Sequence, residues 1–148
     1  MTEQSSAPTW GDGVVAARLA ELGIDLPAVA APVASYVPAL RDGDLVLTSG
    51  QLPFVAGALP ATGKVGAEVT PERAQELARA CAVNAVAAVH ELLGDLDRVA
   101  QVVKVVGFVA SDPAFTGQPG VVNGASDVLA EIFGEAGRHA RSAVGVAV

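Results

Sequence analysis

The chain has 148 residues, 51% hydrophobic and 17% charged; that suffices for one domain with a sizeable core and excludes global disorder. Nine Lys and Arg stand against sixteen Asp and Glu, a net charge of −7 at pH 7, so neither nucleic acid nor an anionic membrane surface is expected as the main partner, since both require a basic patch. The single cysteine, Cys81, closes no internal disulfide, and no apolar run reaches the ~20 residues of a membrane-spanning helix.

Residues Met1 to Gly11 are small and polar and read as a loose terminus. From Asp12 to Leu22 the apolar Val15, Leu19 and Leu22 recur at helical spacing and Gly23 stops the run, which predicts a short amphipathic helix. The following IDLPAVAAPVASY carries two prolines and no helical period, and reads as an extended arm lying on the body. YVPAL and LVLTSG flank Arg41-Asp42-Gly43-Asp44, a hairpin signal in which Asp tolerates and Gly prefers positive φ. Leu52 to Gly66, punctuated by Pro53, Gly57, Pro60 and Gly63, is expected to be a loop with at most a short strand near Lys64.

Thr70, Pro71 and Glu72 mark a helix start, and Gly94 its end. Between them Ala74, Leu77, Ala78, Cys81, Ala85, Val89 and Leu92 form an alanine-rich stripe that can lie close against a sheet. Cys81 sits on that stripe, where a thiol is buried and inert. Val99 to Val109 is rich in β-branched residues and predicts a central strand. A second helix is expected over Pro119 to Phe133, then a GEAGRHA loop, then a final SAVGVAV strand. This order predicts an α+β sandwich, a mixed β-sheet with two helices packed on one face and a short N-terminal helix in addition.

The sequence offers few parts for familiar chemistry. His90, His139 and Cys81 have no zinc-site spacing, and neither GxxxxGK[ST] nor GxSxG occurs. No basic segment precedes an apolar stretch, so a cytoplasmic protein is expected. The low charged fraction for so small a domain predicts an oligomer that hides excess apolar surface.

Five fragments in this order resemble the RidA family, also known as the YjgF family, of reactive-intermediate deaminases. They are Tyr36-Val37, LTSGQLP at Leu47 to Pro53, VVKVVGFVAS at Val102 to Ser111, Val122-Asn123, and ARSAVGVA at Ala140 to Ala147. The resemblance covers residues 35–148, leaving 1–34 as an additional helix and arm. It implies a chorismate-mutase-like fold, a homotrimer with clefts between subunits, and hydrolysis of small 2-imino or enamine acids to 2-keto acids and ammonia without a cofactor. Arg141 matches the arginine that grips the substrate carboxylate. Tyr36 matches a cleft tyrosine, Gly50 and Ala143 offer main-chain contacts to the ligand, and Asn123 matches a family asparagine.

Each of these residues has a plainer reading. Arg141 suits a strand edge, Tyr36 ordinary packing, Gly50 a bulge, and Asn123 a helix cap or a solvated position. His139 reads as a solvated loop residue or a lining of the cleft, and His90 is favourable near a helix C-terminus. Asp127, Glu131 and Glu135 read as a solvated face. Three departures from the family pattern stand out. Ala143 replaces a frequent cysteine, Ala34-Ser35-Tyr36 replaces Gly-Pro-Tyr, and the family's further strand with a water-positioning glutamate is expected to be lacking after Val148. The alternative function is a non-catalytic module binding a small carboxylate on the same fold. Ribonuclease activity, an older family label, fits the charge poorly.

Overall fold

A computed structural model describes residues 13–148 of the chain; the expected loose terminus at Met1 to Gly11 lies outside them. Two long helices form one layer. Helix α2, Pro71–Leu93, begins where the Thr70 hydroxyl accepts a hydrogen bond from the Arg73 amide at 3.2 Å, and ends at Gly94, whose amide donates to the His90 carbonyl at 2.7 Å. Helix α3 spans Gln118–Phe133. The two backbones approach so closely that a Cβ on Gly124 would lie 2.0 Å from the Gln75 carbonyl oxygen, so only glycine fits there.

The strands lie on the other side of this layer. β1, Ala39–Asp42, and β2, Leu45–Thr48, form an antiparallel hairpin packed on α2. Its two-residue turn is Gly43-Asp44, and Gly43 alone takes positive φ, at 57°. Asp42 instead pairs with Leu45 as the last rung. The positive-φ demand therefore falls on the first central residue, as in a type II′ turn, and Asp has no part in meeting it. β3, Lys104–Ala110, and β4, Ala140–Val146, pair in parallel from Lys104↔Ala140 to Ala110↔Val146, with α3 as the crossover between them.

The arrangement is thus mixed, as expected, but the described strands form two separate two-stranded ladders. The segment between the hairpin and α2 contributes only isolated bridges, Val55 with Ala58 and Val65 with Val69 and Ser111. Its prolines and glycines interrupt the run of paired amides that a bridging strand needs. The expected short strand near Lys64 is the Val65–Ser111 bridge.

One core gathers Val15 and Leu19 of α1 (Val14–Leu22), Val86 of α2, and Val128, Leu129, Ile132 and Phe133 of α3. A second core joins Val65, Val69, Ala74, Val109, Val121 and Val122 near the start of α2 and α3. The arm after α1 follows the body only at its start: Ile24 and Leu26 pack on the first core, whereas residues 30–36 are exposed, Val33 at 94%. The strand expected from Val99 begins only at Lys104, because a 3-10 turn occupies Leu96–Arg98 and the amide of Val102 donates to the Ala136 carbonyl at 2.7 Å. The expected GEAGRHA loop likewise contains a 3-10 turn, Gly134–Gly137.

Candidate functional site

Arg141 is the second residue of β4. In the parallel register it stands opposite Val105 and shares the helix-facing side with Ala143 and Gly145. Its guanidinium reaches the start of α3. Nη1 donates to the Asn123 Oδ1 at 2.8 Å and to the Ser126 Oγ at 3.2 Å, and Nη2 donates to the Pro119 carbonyl at 3.3 Å. All three acceptors are neutral, and no carboxylate pairs with Arg141 among the described residues. A guanidinium has five N–H donors. Three are engaged here, which leaves the Nε–H and one Nη2–H without a partner among the described residues. Two such donors on adjacent nitrogens match the two oxygens of one carboxylate.

Around this arginine lies a second pair that the sequence reading did not join. The Ser126 Oγ is 2.9 Å from the His139 Nε2, and the His139 Nδ1 is 2.6 Å from the Gly137 carbonyl oxygen. His139 is half-buried and bonded through both ring nitrogens, a position distinct from a solvated loop. Ser126 belongs to none of the motif fragments, yet the sequence carries a signal for it. Asn123 and Ser126 are three apart on one helix, and His139 and Arg141 two apart on one extended segment, so each pair shares a face.

The remaining candidates occupy two places. Ala143 lies opposite Gly107 and packs against the second core, so its main chain rather than its methyl is what it can offer a ligand. Asn123 also lines a cleft of about 350 Å³ between the starts of α2 and α3, with Glu72, Gln75 and Phe115 among its other walls. Tyr36 and Gly50 lie at the open end of the hairpin. There the Ser49 amide donates to the Pro38 carbonyl at 2.9 Å, and Asn84 of α2 donates to the Leu52 and Phe54 carbonyls at 2.9 and 3.1 Å. Tyr36 is 46% exposed, and no atom lies within 4 Å of where a Cβ on Gly50 would stand, so the main chain is approachable. Among the described residues no hydrogen bond joins the hairpin group to the Arg141 group within one protomer.

Among the described residues no three His, Cys, Asp or Glu side chains converge as a metal site. Burial pushes the Cys81 thiol up to about 11. No helix among the described residues is long and apolar enough to cross a membrane.

Residues 16–148 match the sequence model of the family described as "YjgF/chorismate mutase-like, putative endoribonuclease". The chain belongs to this family. The YjgF match takes in α1 except its first two residues, and the arm as well as the helix–strand body. The chain is 52% identical over 138 residues to protein TCP17 of Trypanosoma cruzi, covering 91% of this chain and 85% of that one. Two solved structures share its fold. A protein of unknown function from Agrobacterium tumefaciens is 48% identical with a TM-score of 0.84, covering 90% of this chain and 82% of that one. A "putative endoribonuclease" from Shewanella oneidensis MR-1 is 36% identical with a TM-score of 0.88, covering 90% and 89%. The chorismate-mutase-like fold and YjgF membership anticipated from the five fragments therefore hold.

Proposed function

We propose that this YjgF-family protein hydrolyses small 2-imino or enamine acids to 2-keto acids and ammonia, with Arg141 holding the substrate carboxylate. The observation that carries this reading is the state of the guanidinium: fixed by three neutral oxygens, uncompensated by any described carboxylate, and left with two donors to offer. Water adds to the carbon of the C=N bond, and the carbinolamine collapses with loss of ammonia. Water enters, ammonia leaves, only protons are otherwise exchanged and no electron is gained or lost, so the need is for placement of the acid and a held water. The Tyr36 hydroxyl and the open main chain at Gly50 supply polar groups for that purpose from a neighbouring copy in a homotrimer. The exposed apolar face of the strands, with Val106, Phe108 and Val144, supports such an assembly. Ala143 lines the same strand, and Asn123 fixes the arginine.

The test generates a 2-imino acid with an amino-acid oxidase and follows keto-acid release. The wild type accelerates release, and Arg141→Ala lowers kcat/KM by about 100-fold, as expected for the loss of charge-assisted hydrogen bonds. Equal acceleration by the variant rejects the reading. Calorimetric binding of 2-ketobutyrate without turnover instead supports the non-catalytic carboxylate module. Relatives carry an endoribonuclease label, but the net charge of −7 disfavours phosphate contacts. RNA cleavage by the purified protein that vanishes in Arg141→Ala overturns the ranking.

A further inference from the structure

We infer that Ser126 and His139 are positioning residues that hold the Arg141 guanidinium in its carboxylate-gripping orientation; this rests on the reading of Arg141 given above. The two ends of this hydrogen-bonded chain have fixed directions, and the His139 tautomer sets the link between them. The Gly137 carbonyl only accepts, so the His139 Nδ1 carries a proton; in the tautomer whose single ring proton sits there, Nε2 presents a lone pair. In that tautomer the Ser126 hydroxyl donates to Nε2. Its oxygen lone pairs are then free, and one takes the Arg141 Nη1–H. A cation at one end and a carbonyl at the other polarise every link in the same sense.

The chain also spans three elements that must keep their spacing for the arginine to point one way. Ser126 is on α3, His139 follows the Gly134–Gly137 turn, and Arg141 is on β4. The turn is pressed onto α3 so closely that a Cβ on Gly137 would lie 2.2 Å from the Leu129 carbonyl oxygen. Gln101 clamps it from the other side, its side-chain amide donating to the Val102, Ala136 and Arg138 carbonyls. Without an acceptor at His139, the Ser126 hydroxyl has a competing partner, the carbonyl one helical turn back at Val122, as serines in helices commonly do. That rotamer withdraws the oxygen from Arg141 and leaves the guanidinium tied only at Asn123 and Pro119.

A clamp that holds the carboxylate equally in substrate and transition state acts on KM rather than kcat. Ser126→Ala and His139→Ala should therefore raise KM, and the calorimetric Kd for 2-ketobutyrate, about 10-fold, with kcat within about 2-fold of wild type. His139→Gln, which keeps an acceptor near Nε2, should stay within about 3-fold in KM. In an Arg141→Lys background the guanidinium is gone, and adding His139→Ala should change KM by less than about 2-fold. A merely structural role predicts the same penalty in both backgrounds, and that result overturns the inference. So do wild-type KM and Kd values in Ser126→Ala and His139→Ala when Arg141→Ala has lost both, an outcome that leaves the arginine clamp standing. Unchanged behaviour of Arg141→Ala rejects clamp and positioning together. If His139→Ala fails to fold, Ser126→Ala and His139→Gln decide the matter by the same readouts.

Discussion

Cys81 lies half-buried on the inner side of α2, and desolvation, the larger influence, raises its thiol to about 11 from an ordinary value near 9. The folded state therefore favours the neutral thiol. The associated stability is fully present below about pH 9 and is lost as pH rises through about 11. At pH 8 the thiolate population falls about 100-fold on folding, so alkylation by iodoacetamide should be about 100-fold slower than in denaturant. Equal rates in both conditions contradict the burial. This inertness was legible, because Cys81 stands on an alanine-rich helical stripe with no base at neighbouring spacing. The Arg141 cluster was legible only in part. Arg141 and Asn123 are 18 residues apart, and the motif resemblance alone put them in one site; their 2.8 Å contact arises where β4 returns beneath α3. Ser126 and His139 belong to no motif of the resemblance, and their roles depend on donor directions set by a main-chain carbonyl.

Helix α1 shows what a one-dimensional reading misses at the scale of elements. Its first amides have no local side-chain cap, Gly13 being the N-cap. The Asp97 carboxylate from the 3-10 turn supplies one across 84 residues, accepting from the amides of Gly13, Val14 and Val15 at 2.6, 3.0 and 2.8 Å. A carboxylate there satisfies orphan donors and opposes the positive end of the helix. Asp97→Ala should destabilise the protein by about 1–3 kcal/mol in urea unfolding, and Asp97→Asn by less, since an amide oxygen still accepts. Equal stability of wild type and Asp97→Ala refutes the cap. The contrast with α2 is instructive. Thr70, Pro71 and Gly94 are adjacent in sequence to the helix they bound, so both of its ends could be read. The start of β3 could not. Val99 to Val103 have strand-like side chains, but the amides of Val99 and Val102 are spent on Leu96 and Ala136 rather than on a ladder.

At the scale of the whole fold, one side of the strands is left bare by the described residues. The period-2 alternation of β3 puts Val105, Gly107 and Val109 toward the helices and Val106 and Phe108 away from them, and Val144 and Val146 of β4 join the outward side. Phe108 is 70% exposed. Leu40, Leu45 and Leu47 share one side of the hairpin and are also exposed. Such residues reproduce the alternation of a half-buried sheet whose outer side none of the described residues covers, in keeping with a composition poor in charge that points to association. Burying one phenylalanine side chain is worth about 1.5–3 kcal/mol, and a carboxylate in its place adds a desolvation penalty. If copies of the chain cover this face, Phe108→Asp should shift the protein from an oligomer to a monomer by light scattering, with its far-UV spectrum intact. Its keto-acid release should fall as well, because Tyr36 and Gly50 would then have no neighbouring Arg141 to complete the cleft. An unchanged oligomeric mass places the interface elsewhere. A monomer with full activity would mean that one protomer's own Arg141 group suffices for the chemistry.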